Sequence, residues 1–144
     1  MFLTLLLGLT TVTACAAPAL VFMRESDTDK QVVLLKDGQE TALTSGADWH
    51  LYPDISADAD RVVWVQGSSE RDLRVTMLDR RTGARAQWVT PQSGMALHPR
   101  FSRNGKIIYA SVPSAQGNRI AKLDPSMNAV PDREDANGNR VYTW

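Results

Sequence analysis

The chain of 144 residues is nearly without cysteine: Cys15 is the only one. A single thiol near one end excludes an internal disulfide framework and zinc sites built on paired cysteines, so the fold must hold by packing. Charge bias is missing too, since 16 Lys+Arg offset 16 Asp+Glu. That balance argues against nucleic acid as a partner, because phosphate binding needs a concentrated basic surface. Aromatic residues make up only 7% of the chain, although 4 of them are Trp. Beyond the N-terminus no stretch keeps helical spacing over three turns, which leaves strands and turns to build the core. Catalytic signatures are lacking as well: there is no Gly-x-Ser-x-Gly elbow, no Gly-rich phosphate loop and no zinc-spaced Cys/His set. The expectation is therefore a chain that is not an enzyme and takes no cofactor.

What is present is a regular alternation of short apolar runs and turn residues. "ALVFM" (19–23), "QVVLL" (31–35) and "TALT" (41–44) form one set, and "RVVWV" (61–65), "LRVTML" (73–78) and "AQWVT" (86–90) a second. A third set is "KIIYAS" (106–111) and "RIAKLD" (119–124). The runs are rich in Val, Ile, Trp and Tyr and bounded by Gly, Asp, Ser and Asn, the pattern of antiparallel strands joined by hairpins.

The sets also repeat. Pro53 to Pro99 and Ser56 to Ser102 are each 46 residues apart; Trp64 to Tyr109 and Val75 to Ile120 are each 45. Leu43-Thr44 to Val89-Thr90 is again 46, and Gly38 to Gly83 is 45, while Phe22 to Trp64 is 42. A period of roughly 40–50 residues built from short strands points to propeller blades. Each repeated position carries a folding role. Pro53 and Pro99 are expected just before a strand, where a missing N–H costs no ladder bond. Ser56 and Ser102 precede turns and can bond nearby backbone. Asn104-Gly105 reads as a two-residue hairpin turn.

The stretch "HPRFSRNGKIIYASVPSAQGNRIAKLD" resembles the repeat of TolB-like β-propellers: Pro, one residue, an aromatic, Ser-Pro-Asp-Gly, a basic residue, then an apolar strand. Pro99, Phe101, Ser102, Asn104, Gly105, Tyr109 and Asp124 carry that resemblance. The preceding unit matches it through Pro53, Ser56, Asp58, Trp64, Asp79 and Gly83. Ser-Pro-Asp-Gly reads Ser56-Ala57-Asp58-Ala59 in one unit and Ser102-Arg103-Asn104-Gly105 in the other. The resemblance implies an all-β fold of antiparallel four-stranded blades, about three repeats, forming an incomplete propeller. Units are expected at about 18–46, 50–94 and 97–124 within a repeat region 15–124, with 125–144 as a partial blade or C-terminal hairpin turning at Ala136 to Asn139. Three blades do not close a propeller, so the chain is expected to be the N-terminal part of a longer protein, the alternatives being a three-bladed unit that oligomerises and a compact small sandwich.

Residues 1–14 form an uncharged apolar segment too short to span a bilayer and of the length of a signal peptide. Val12-Thr13-Ala14-Cys15 resembles a bacterial lipobox, which implies lipidation at Cys15. No Lys or Arg follows Met1, so the basic region that usually opens such a signal is missing. Ala16 after the cysteine implies outer-membrane rather than inner-membrane sorting in a Gram-negative cell.

The remaining candidates have ordinary readings beside the functional ones. His50 and His98 both stand shortly before a repeated Pro and are expected as turn-flanking histidines; a metal pair would need a third ligand, for which Asp48 and Asp54 are near. "DREDANGN" (132–139) is oxygen-rich but lacks the order of a calcium loop. Trp49, Trp64 and Trp88 at strand positions fit blade packing better than sugar stacking. The leading functional expectation is a non-enzymatic, lipid-anchored envelope protein, periplasmic or at the outer membrane, whose propeller binds a protein or peptide partner. The alternatives are the propeller part of a longer secreted serine peptidase of the prolyl-oligopeptidase kind, and a carbohydrate-binding surface protein.

Overall fold

A computed structural model describes residues 18–89, 95–114, 116–129 and 131–143, and every regular element among them is a strand. The first unit is an antiparallel sheet of β1 (Leu20–Glu25), β2 (Lys30–Lys36) and β3 (Gln39–Ala42). The second unit is an antiparallel run of β4 (Trp49–Ile55), β5 (Arg61–Gly67), β6 (Arg74–Asp79) and β7 (Arg85–Val89). The third comprises β8 (Leu97–Phe101), β9 (Ile108–Ser114) and β10 (Gly117–Leu123). The fold is all-β and propeller-like, and among the described residues the second unit carries four strands of its own while the first and third carry three each.

The middle sheet is buried on both faces. Val62 and Trp64 of β5 pack on one side against Val32 of β2, with Val21, Leu43, Ile55 and Leu78 around them. On the other side Val63, Val75, Met77, Ala86 and Trp88 meet Ile108, Ala110 and Leu123 of the third unit. A strand buried on both faces reads as a continuous apolar run, which is what "RVVWV" is.

The segment 125–144 supplies β11 (Arg133–Glu134) and β12 (Arg140–Thr143), joined by a turn at Asp135–Asn139. An outer hairpin on the third unit is one expectation for this segment; instead β12 lies parallel to β7 and extends the second sheet to the order β11-β12-β7-β6-β5-β4. Apolar burial accounts for the choice. Val141 is buried, and Tyr142 stacks on Trp88 with ring centroids 5.7 Å apart.

The two Ser turns have one design. Ser56 Oγ accepts the N–H of Arg61 (2.9 Å) and donates to Asp58 Oδ1 (2.5 Å). Ser102 Oγ accepts the N–H of Ile107 (3.0 Å) and donates to Asn104 Oδ1 (2.8 Å). In each, the fourth residue bonds back to the first: Ala59 N to Ser56 O and Gly105 N to Ser102 O, both 2.8 Å. These are four-residue turns closed by a left-handed residue, not the two-residue hairpin expected at Asn104-Gly105. Gly105 takes φ 68 without cost, whereas Ala59 takes φ 58 where the repeat pattern has Gly. Asp79 caps its own turn, its Oδ1 accepting the N–H of Arg81 and Thr82, and Gly83 completes it at φ 76. Asp124 bonds the N–H of Ser126 in the same manner.

Between β5 and β6 the chain turns tightly over Asp72. A Cβ on Gly67 would stand 2.8 Å from Asp72 Oδ1 and 2.9 Å from its carbonyl oxygen, so only glycine fits there. Burial pushes the Asp72 carboxyl up, but the N–H and hydroxyl groups of Ser68 and Ser69 outweigh it and hold the pKa at about 2. A folded-state value below the unfolded one means that the unfolded chain binds more protons in this window. The stabilisation is complete above the unfolded value of 3.8 and disappears as pH falls towards 2. Denaturant unfolding across that range should show stability falling with acidification, and Asp72→Asn should lower stability at neutral pH while flattening the acid slope; an unchanged slope in the variant would contradict the assignment.

Candidate functional site

Strands β1, β4 and β8 are the edges at which the three sheets converge. Both β4 and β8 break register at the same place, between Leu51 and Asp54 and between Leu97 and Arg100. Pro53 and Pro99 therefore lie inside edge strands, at irregular positions, and not ahead of the strands as the sequence pattern led one to expect. An edge strand at a bulge tolerates a residue without an N–H, so the chemistry that placed them before a strand also permits them there.

The residues preceding these prolines are the unusual ones. Tyr52 has φ 53 and His98 has φ 52. A bulky residue in the left-handed region costs about 1–3 kcal/mol, and such residues concentrate at functional positions. The two occupy equivalent places in successive units, and their rings meet with centroids 4.2 Å apart at an interplanar angle of 43°. Tyr52 keeps 39% of its surface exposed, so the pair faces solvent. Around it, Arg100 Nη1 donates to the carbonyls of Pro53 (3.3 Å) and Pro99 (3.0 Å), and Asp54 Oδ2 accepts the N–H of Phe101 (2.8 Å). The result is an aromatic platform flanked by a cation and a carboxylate, tied from β4 to β8 by hydrogen bonds.

The other candidates fall elsewhere. His50 is buried and its Nδ1–H donates to the carbonyl of Lys30 (2.8 Å), linking the first two units; at the 46-residue offset of Pro53 and Pro99 its counterpart in the third unit is Ala96, so the two histidines are not equivalents. Asp48 accepts from Gln66, 3.0 Å away. In the 132–139 stretch Asp135 takes the N–H groups of Asn137 and Asn139 and the Asn139 amide. Among the described residues no cluster of three or more His, Cys, Asp or Glu side chains could hold a metal. Trp64 and Trp88 are core side chains, Tyr109 is half-buried on β9, and Phe101 packs against the larger core with the Arg61 guanidinium 5.8 Å from its ring centroid. Val12, Thr13, Ala14 and Cys15 lie outside the described residues.

Tyr52 is the residue that composition and motifs do not single out. Its signal is positional: a large residue directly before each repeated Pro, Tyr52 and His98, 46 apart.

No protein-family model and no curated protein sequence matches the chain. Among solved structures the chain is similar to TolB from Acinetobacter baumannii, with a TM-score of 0.61 at 14% identity. The fold is TolB-like. The match covers 85% of this chain and 36% of that protein, so the chain spans little more than a third of the length of its TolB neighbour. At this identity the likeness concerns the fold, and the roles of individual residues rest on the geometry above.

The Tyr52–His98 contact generates a direct test. A double-mutant cycle with Tyr52→Ala and His98→Ala should return a coupling of about 0.5–1.5 kcal/mol in unfolding free energy. Strictly additive effects would mean that the rings do not interact.

Proposed function

We propose that the chain is a non-enzymatic binding scaffold of the bacterial cell envelope, anchored through lipid on Cys15, that captures a protein or peptide segment on the platform of Tyr52 and His98. The observation that carries this reading is the repeated backbone strain. Two large side chains are held in a costly conformation at equivalent places, inside the register breaks of β4 and β8, and both rings are exposed, with Arg100 and Asp54 close in sequence. Aromatic faces with adjacent hydrogen-bonding charges suit an extended peptide, whose side chains stack while its polar groups bond at the rim. The TolB-like fold supports the scaffold part of the reading, since a propeller presents such convergent edges around its axis. The lipid anchor rests on the Val12-Thr13-Ala14-Cys15 motif following an uncharged apolar segment.

The test is a selection of phage-displayed random peptides on the full chain, with isotherms for the enriched peptides. Enriched peptides should bind intact, without cleavage, and lose about tenfold or more in affinity on a Tyr52→Ser/His98→Ser variant that remains cooperatively folded at the assay temperature. Equal binding to the variant would remove the platform from the proposal, and peptide cleavage would favour an enzyme. In cells, mass spectrometry should find acyl chains on Cys15 that Cys15→Ser abolishes.

A further inference from the structure

On the face of the second sheet that looks towards the first unit, polar residues take over beyond the apolar cluster of Val62, Trp64 and Leu78. Gln66 stands opposite Arg74, and Thr76 opposite Gln87, with Arg85 two residues before Gln87 on the same face. These side chains line a solvent-open cavity of about 480 Å³, closed at its edge by Asn137 and Asn139 of the β11–β12 turn. A volume of that size falls within the range of small-molecule sites.

The cavity is unusual in what its wall leaves unpaired. Thr76 is only 1% exposed, and its hydroxyl has no hydrogen-bond partner among the described residues. Gln87 is 5% exposed beside it. Arg85 packs its guanidinium over the Trp64 ring, 5.4 Å from the centroid, and donates through Nη2 to the carbonyl of Leu43 (3.1 Å), yet among the described residues it makes no ion pair. The carboxylates nearby are already engaged, Asp48 with Gln66 and Asp135 with its own turn. Among the described residues, one corner thus offers a half-buried cation without an ion-pair partner, an unpaired buried hydroxyl and a buried amide. Leaving the hydroxyl unpaired and the cation without a counter-charge is costly, and an oxyanion is their natural complement.

We propose that this cavity binds a small ligand carrying one carboxylate, seated against Arg85, Thr76 and Gln87, with its hydroxyl or amide groups towards Asn137 and Gln66. The two guanidiniums of the wall, Arg74 and Arg85, are balanced by Asp48 and Asp135, so the site has no excess positive charge. That balance suits a monoanion with neutral polar groups and disfavours a phosphate dianion. The site is independent of the Tyr52–His98 platform on the converging edges.

Sodium lactate is the probe, with lactamide as its neutral counterpart and inorganic phosphate as the dianion, titrated into the full chain at constant ionic strength. Lactate should raise the melting temperature and shift the Thr76 and Gln87 amide resonances, with lactamide and phosphate each weaker by about tenfold. Arg85→Gln should reduce lactate affinity by about tenfold or more. Thr76→Val separates binding from folding: removing an unpaired buried hydroxyl should leave the free chain as stable or more so, while lactate binding weakens. No Arg85-dependent response to lactate would overturn the proposal and leave a water-filled cavity. A larger Arg85-dependent response to phosphate or lactamide would overturn the assignment of a carboxylate.

Discussion

Residues Val62 to Val65 at the centre of β5 have no face that water can wet, and the rest of the molecule is arranged around that constraint. Val62, Val63, Trp64 and Val65 are all 0% exposed, and consecutive side chains point to opposite faces of the sheet. Each apolar side chain so buried contributes about 1.5–3 kcal/mol, which requires a sheet on either side. The first unit covers Val62 and Trp64; the third covers Val63 and the Met77 side of the same sheet. Stacking sheets on two faces brings one edge of each together, which places β4 beside β8 and sets Tyr52 against His98.

The inner and outer parts of the second sheet are specialised differently. At the inner edge rigid turns fix the geometry: Ser56 with Asp58, and Ser102 with Asn104, hold the chain immediately after each bulge. The strain at Tyr52 and His98 is therefore supported by hydrogen bonds a few residues away. At the outer edge β12 adds a parallel strand and covers Trp88 with Tyr142, so the larger core is completed by a segment distant in sequence. Between these regions the face towards the first unit turns polar at Thr76 and Gln87, which line the wall of the cavity. A fold that buries both faces of β5 thus leaves two separate surfaces with chemistry to spare.

Much of the fold was legible from the residues. The runs 31–35 and 61–65 lie on β2 and β5, and the runs beginning at 73 and 86 supply most of β6 and β7, because alternating or continuous apolar residues between turn formers leave the backbone little alternative. The inner strands β4 and β8 were not, since "WHLYPDI" and "LHPRF" interrupt any alternation with Pro and a bulge. The destination of β12 was hidden as well: "RVYT" has strand character, but nothing local says which sheet it joins. Of the candidate sites, His98 was visible as a rare residue type, whereas its pairing with Tyr52 depends on φ and on sheet convergence. The polar cavity had a readable trace in the alternation of Arg74 and Thr76 against Val75 and Met77. That trace acquires meaning only once the opposite face is known to be core.

Native-state hydrogen exchange tests the central claim that two-sided burial of β5 organises the molecule. The amides of Val62 to Val65 should exchange only through global unfolding, with protection equal to the unfolding free energy of the whole chain, while those of the exposed strand β3 open at lower cost. If Val62 to Val65 instead exchange through the same low-energy opening as β3, the second sheet is not the centre on which the other two depend.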